Sequence, residues 1–307
     1  MSETLVHVAD RAAGWSAAAD QIKSTQTMAR WAVFGLSVAG ALLAAMAGQI
    51  PTDQAGAHTP THSCVAMLAA ALLALGTFIS GRFLGAAKAS TWVRARAASE
   101  ALKREAFKFA ARAEPYDDLN GATRDERLNR EREKIEEAAE KLAHPMEPPG
   151  RQGSSPRDTI THEQYRSMRV MAQAKNFYRA NAEGYIETAR ILRRIEFGLA
   201  VGATIITVYA GAMGKIAVMH GGSFDLAALT AVLTTVSGAI LAHIEALRLD
   251  TLVDTYRATA RRLEDLDLEF AAASADPELW SRFVNKCEDI IAAENSSWVA
   301  KWSEDKA

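Results

Sequence analysis

Cysteine, proline and a dominant sign of charge are all scarce in this chain. Two cysteines, Cys64 and Cys287, serve 307 residues. They cannot build a disulfide framework, which excludes a small stapled secreted domain. Only eight prolines occur, five of them between 115 and 156, so most of the chain is free of helix breakers. The 35 basic residues are matched by 37 acidic ones, for a net charge of -2, and composition gives no case for general nucleic-acid binding. No P-loop, HExxH, dinucleotide glycine motif or nucleophile elbow is present. The chain is therefore expected not to be an enzyme and to need no cofactor. His58, His62 and Cys64 stand close together but lack zinc-site spacing, so no metal is expected either.

Charge is also missing from four long stretches: 31–49, 64–81, 197–213 and 226–242. About 20 apolar residues in a helix cross the hydrocarbon layer. These runs are read as four membrane spans, at about 31–49, 64–83, 197–213 and 226–244. The mean hydropathy of -0.07 conceals them, because the remainder is charge-dense. The connection 50–63 holds no Lys or Arg, and 214–225 holds one, Lys215. Arg30, Arg82, Lys88, Arg193, Arg194 and Arg248 lie beyond the opposite ends. The positive-inside rule then puts both short loops outside and both termini in the cytoplasm. The expected class is an all-α membrane protein of two tandem hairpins with long cytoplasmic helices forming a stalk. The expected location is the bacterial inner membrane.

The two hairpins repeat each other. Phe34-Gly35-Leu36-Ser37-Val38 recurs as Phe197-Gly198-Leu199-Ala200-Val201, and Trp15, Ala19 and Ile22 fall on Tyr178, Ala182 and Tyr185 at the same offset. Leu102 and Phe109 fall on Leu263 and Phe270 at a slightly shorter one. This is read as a tandem duplication: a first unit 1–116, a charged helix and Pro/Gly linker 117–160, a second unit 161–275, and a C-terminal amphipathic helix 276–307. The polar helices keep 3–4 spacing, which packs helices at shallow angles. The inward stripes are Val8, Ala12, Trp15, Ala19, Ile22; Trp92, Ala95, Ser99, Leu102, Ala106, Phe109; Met171, Lys175, Tyr178, Ala182, Tyr185; and Leu252, Tyr256, Thr259, Leu263, Leu266, Phe270. Trp280, Phe283, Cys287, Ile291 and Trp298 mark the last helix. Nothing between Phe83 and Ser90, or between Leu241 and Asp250, ends a helix except a tolerable Gly85, so the spans are expected to run on unbroken. Residues 122–142, with Leu128, Ile135 and Leu142 seven apart, read as a solvated or docking helix, and 145–159 as a flexible linker.

The run Thr91-Trp-Val-Arg-Ala-Arg-Ala-Ala-Ser-Glu-Ala-Leu-Lys-Arg-Glu105, directly after a hairpin and followed by Glu114-Pro-Tyr116, resembles the SLATT family of two-transmembrane effector domains. The second unit, with Tyr178, Tyr185, Phe197-Gly198-Leu199 and Tyr256, resembles a divergent second copy, with Ala-Arg-Arg-Leu-Glu at 260–264 in place of the Ser-Glu-x-Leu-Lys run. The resemblance implies a pore-forming effector of anti-phage or conflict immunity. It also implies gating by a nucleotide signal from a separately encoded nucleotidyltransferase or sensor.

Three groups of residues are candidate sites. Thr230, Thr234 and Ser237, and Thr204 and Thr207, put hydroxyls on single helical faces, where they line a pore or bond across packed helices. Gly81-x-x-x-Gly85 and Gly198-x-x-x-Gly202 look like packing motifs. Glu196, His243 and Glu245 sit near the inner ends of spans, where charge is costly unless paired or wet; they are candidates for a vestibule gate or an interfacial ring with Arg193, Arg194 and Arg248. For an anionic ligand, phosphates need Arg or Lys, and bases stack on rings. Arg94, Arg96, Lys103, Arg104 and Lys108, with Arg166, Arg169, Lys175, Arg179 and Tyr178, are those candidates. Four spans make a thin wall for one chain, so a homo-oligomer such as a tetramer is expected, with the lipid bilayer, the nucleotide or oligonucleotide and its synthase or sensor as partners. The alternative is a non-conducting anchor or scaffold that docks such a partner through 122–142. A transporter is less favoured, because no proline or central charge breaks the spans.

Overall fold

The computed structural model describes residues 2–50, 59–117, 120–140, 153–213, 215–218 and 222–304. The elements in chain order are α1 (Glu3–Gln49), α2 (Pro60–Phe83), α3 (Ala86–Ala110), α4 (Gly121–Glu140) and α5 (His162–Tyr165). A π-helical stretch (Arg166–Arg179) joins α5 to α6 (Ala180–Met213). A short antiparallel ribbon, β1 (Lys215–Val218) and β2 (Gly222–Asp225), leads to α7 (Leu226–Leu247), α8 (Leu249–Asp267), α9 (Phe270–Ala273) and α10 (Pro277–Glu304). Apart from the ribbon the described residues are all-α, and among them four helical stretches are long and apolar enough to cross a membrane.

The chain forms two compact units, and they cut across the sequence repeat. One comprises residues 1–24, 86–184 and 252–307, the other 25–85 and 185–251. Each therefore draws on both repeats: the polar helices gather in the first unit and the apolar hairpins in the second.

In the polar unit, α1, α3 and α4 share one core. Leu5, Val8, Ala12, Trp15 and Ala19 face Ala95, Leu102, Ala106 and Phe109, all buried. Ser99, wholly buried, donates to the Ala12 carbonyl at 3.0 Å, which explains a hydroxyl on that stripe. Helix α4 docks on the same core through Leu128 and Ile135, with Arg11 bonded to Glu136 and Ser2 to Asp125 at 2.9 Å. Its apolar stripe is thus occupied by its own chain; Leu142 lies outside the described residues. The linker's first part, 145–152, also lies outside them. Its second part packs on α1: Arg157 bonds Asp10 at 2.5 Å, and a Cβ at Gly153 would stand 2.9 Å from that of Ala13.

The third predicted stripe holds at Tyr178 and Ala182 but is displaced before them. The buried positions are Tyr165, Arg169, Val170, Ala174, Tyr178 and Ala182, while Met171 is half-buried and Lys175 exposed. The reason is the π register: the Ala180 N–H reaches the Lys175 carbonyl, five residues back, so each turn holds more residues than an α-turn. A cation does enter the core there, but it is Arg169, only 1% exposed. Its Nε and Nη2 donate to the two oxygens of Glu288 on α10 at 2.9 and 2.7 Å. The guanidinium lies 4.7 Å from the Phe107 ring centroid, and the Tyr165 hydroxyl donates to the same Glu288 at 3.0 Å. Removing one partner of such a buried pair costs about 3–5 kcal/mol, because the other charge is stranded.

The spans do not run on unbroken. Leu84 leaves the helical region (φ -106, ψ 6) and separates α2 from α3. Arg248, at φ 50, separates α7 from α8. At the offset that aligns Leu102 with Leu263, Leu84 falls on Glu245, so the two breaks lie within one turn of equivalent places. A left-handed non-glycine residue costs about 1–2 kcal/mol, and this strain sits three residues from the boundary between the two units.

In the apolar unit α1 packs on α2 at Gly40, where a Cβ would stand 2.7 Å from the Leu73 Cγ and 3.3 Å from the Ala69 carbonyl. Gly81 and Gly198 have nothing within 4 Å, Gly85 meets only the Gly81 carbonyl, and Gly202 merely grazes Leu233. The expected glycine motifs are therefore not packing contacts within this chain. Leu192, Ile240, Ile244 and Leu249 form a small core with Phe34, Leu199 and Val236 around it.

Glu100, at the edge of the polar unit's core, gives a pH test. Burial favours its neutral form, but the cations of Lys103, Arg96 and Arg169 outweigh that and hold its pKa at about 2, down from 4.5. The unfolded chain then binds the proton more tightly, so stability is full above pH 4.5 and is lost as pH falls toward 2. Melting temperature followed by circular dichroism should drop across that window, and Glu100→Gln should flatten this acid limb.

Candidate functional site

Two groups of polar residues answer to the expected chemistry, one in each unit. In the polar unit most of the basic candidates already hold carboxylates. Lys103 and Arg96 reach Glu100 at 2.9 and 3.8 Å. Arg104 on α3 reaches Asp289 on α10 at 3.0 Å. Arg166 makes a two-pronged contact with Asp267 at 2.7 and 2.8 Å, and Arg179 does the same with Glu264 at 2.5 Å. Lys108 is buried, and burial, with Arg104 beside it, lowers its pKa. Tyr178 is buried too, packed between Phe177 and Tyr256 at 5.0 and 5.4 Å, and offers no free face to a base. Arg96 lies over the Phe177 ring at 5.3 Å. Arg94 and Lys175 make no ion pair among the described residues.

These pairs differ sharply in exposure. Arg179 keeps 55% of its side-chain surface exposed, whereas Arg169 keeps 1%. An exposed ion pair contributes about 0–1 kcal/mol, so a multivalent anion can displace its carboxylate at little cost. Arg104–Asp289, Arg166–Asp267 and Arg179–Glu264 each tie two helices together. The set is three inter-helix links, each with an arginine at least a third exposed, beside a buried pair. Glu288 and Glu100 were not among the sequence candidates. The signal for Glu288 was present, since it falls one turn after Val284 on the buried face of α10.

In the apolar unit the hydroxyls face one another across α6 and α7. The Thr207 and Thr230 oxygens are 3.4 Å apart, and Ser237 donates to Glu196 at 2.9 Å. Thr204, Thr207, Thr230 and Thr234 also bond carbonyls one turn back in their own helices. Thr204 and Thr234 are exposed, while Ser237 is buried. His243 is buried and stands 4.6 Å from Trp31 and 4.7 Å from Phe34, stacked on the latter. Sequence reasoning missed these two rings, although Phe34 opens the repeated motif. Glu245 is exposed. Arg193 reaches Asp250 at 2.5 Å. Among the described residues no His/Cys/Asp/Glu group could hold a metal; His58 lies outside them.

Comparison with known families finds a match over the second hairpin. Residues 165–298 match the family described as SMODS and SLOG-associating 2TM effector domain 1. These residues are similar to a SLATT effector domain. Residues 13–124 match a different family, DUF4231, described as a protein of unknown function. The SLATT match thus falls on the second copy rather than on the Trp92–Glu105 run. It extends through most of α10, including Glu288, so the Arg169–Glu288 pair lies wholly inside the domain. No curated protein and no solved structure matches the chain. The protein is a membrane protein with an effector domain of this kind.

The two cysteines test its orientation. Cys64, in the first turn of α2, is exposed; Cys287 is buried, and burial, with Glu288 beside it, pushes its thiol up to about 12. A membrane-impermeant maleimide added to intact spheroplasts should label Cys64 alone, once per chain, and Cys64→Ser should abolish the signal. Labelling that needs permeabilised cells would invert the topology. Cys287 should react only after denaturation.

Proposed function

We propose that this protein is a pore-forming membrane effector of bacterial conflict immunity. It acts as a homo-oligomer in the inner membrane, with termini in the cytoplasm, and without a catalytic step. The observation that carries this reading is the Glu196–Ser237 bond inside the apolar unit. An ionisable residue in a membrane span marks an ion or substrate path unless another charge pairs it. Two further features support assembly from several copies. Only 6% of the apolar stretch of the helix containing α6 is buried, and 11% of that of α2. The outward faces include Phe197, Ile205 and Val208, more than 60% exposed. A scaffold that docks its partner through 122–142 is less favoured, because the apolar stripe of α4 is occupied by its own chain.

Gating, in this reading, is the exchange of inter-helix carboxylates for ligand phosphates. A nucleotide or short oligonucleotide made by a separately encoded synthase takes over Arg104, Arg166 or Arg179. The displaced Asp289, Asp267 or Glu264 releases its helix, and the ligand shifts the population between two helix packings by its differential affinity for them. Helix α1, unbroken from Glu3 to Gln49, belongs to both units and provides a covalent link between them.

The test is ion flux from proteoliposomes holding the full chain, with cyclic dinucleotides and short linear oligonucleotides as probes. Dye-reported flux that changes with one of these probes is expected, and calorimetry should show that probe binding. Arg104→Ala should weaken that binding about tenfold, the loss of one charge-assisted contact. No flux with or without any probe would overturn the pore, and flux indifferent to every probe would overturn the gating.

A further inference from the structure

We propose that Glu196 and Ser237 form a binding site for a monovalent metal cation within the apolar unit. Ser237 is the twelfth of the 22 residues of α7, about 15 Å from each helix end at 1.5 Å rise per residue. The Glu196 carboxylate reaches this level from α6 and accepts from the Ser237 hydroxyl at 2.9 Å. Among the described residues it makes no other hydrogen bond and no ion pair. Arg193, one turn away, is engaged with Asp250, and Arg194, two residues away, is exposed and lies on a different face of the helix. The flanking side chains, Leu199, Val236 and Ile240, are apolar and belong to the small core. A carboxylate there is half-buried, single and unneutralised, which is costly unless a cation joins it.

The donor set defines that cation. Only oxygens are present, which excludes metals that depend on sulfur or imidazole. One carboxylate and one hydroxyl fall far short of the six to eight oxygens that calcium takes, and magnesium keeps near-ideal octahedral geometry. An alkali cation that retains part of its water fits one negative charge and one neutral oxygen. The consequence for conduction rests on the pore reading: one such carboxylate per copy, repeated around an oligomer, selects cations over anions.

The site can be tested without conduction. Dicyclohexylcarbodiimide modifies protonated carboxyls in apolar surroundings, and mass spectrometry locates the adduct. In proteoliposomes of the full chain at fixed pH and ionic strength, replacing choline chloride by KCl or NaCl should protect Glu196. Glu196→Gln should remove the adduct, and Ser237→Ala should raise the half-protecting K+ concentration about fivefold. Labelling that responds to pH but not to K+ or Na+ would overturn the proposal, since the site would then hold only a proton. In the same vesicles a KCl gradient should give a cation-directed reversal potential that moves toward zero in Glu196→Gln. Protection without flux would remove the pore and leave the cation site standing. Flux with equal selectivity in both proteins would remove the selectivity role.

Discussion

The polar unit depends on one buried guanidinium. Arg169 is fully enclosed, and a lone charge there would be prohibitive. Glu288 from α10 therefore has to meet it with both oxygens, and α10 is held at a set height and rotation along the π-helical stretch. Phe107 of α3 closes one face of the guanidinium. Three elements distant in sequence are thereby fixed to one another. Such a pair is weak evidence for net stability, because desolvation offsets much of the attraction. Its effect is on register: any slip between these elements strands a charge in an apolar core.

That constraint also explains what could be read from the sequence and what could not. The stripes of α1, α3 and α8 were legible because they follow α-helical spacing: Leu102, Ala106 and Leu263 are all buried. The stripe before α6 was not, because a period of four and five residues replaces three and four once the helix adopts i to i-5 bonds. Lys175 was expected inward and is exposed; Arg169, six residues earlier, takes the inward place. Helix breaks at Leu84 and Arg248 were equally hidden. Neither residue is a breaker by type, and the left-handed turn at Arg248 is maintained by packing on either side of it. Four spans were plain from hydropathy, but the partner of Glu196 was not. The arginines nearest in sequence drew attention to charge, whereas the hydrogen bond that Glu196 accepts comes from Ser237 on the opposing helix.

The duplication and the compact units describe different things. The repeat in the sequence sets a hairpin with polar flanks twice along the chain. Folding then sorts the pieces by solvent: apolar hairpins of both copies pack together, and polar flanks of both copies pack together. The two copies are no longer equivalent, as their matches to two different families show. The second carries Arg169 and Glu288. The first carries the Ser99–Ala12 bond and contributes Glu100 as a more distant counter-charge, 4.0 Å from Arg169.

This asymmetry separates fixed links from adjustable ones. Arg169–Glu288 cannot be exchanged for a ligand, since no anion reaches it without opening the core. Arg104–Asp289, Arg166–Asp267 and Arg179–Glu264 lie nearer the surface of the unit, where each arginine keeps a third or more of its side chain exposed. Exchanging a carboxylate for a phosphate at these positions preserves the count of charge-assisted bonds while changing which helices they join. The cost of such a rearrangement is then small against the stability of the core, and the guanidinium of Arg169 is left as the pivot. A device of this kind needs one register that is hard to lose and several contacts that are easy to trade. The polar unit has both, the fixed pair on α10 and the π-helical stretch against α3, and the peripheral pairs on these elements and α8.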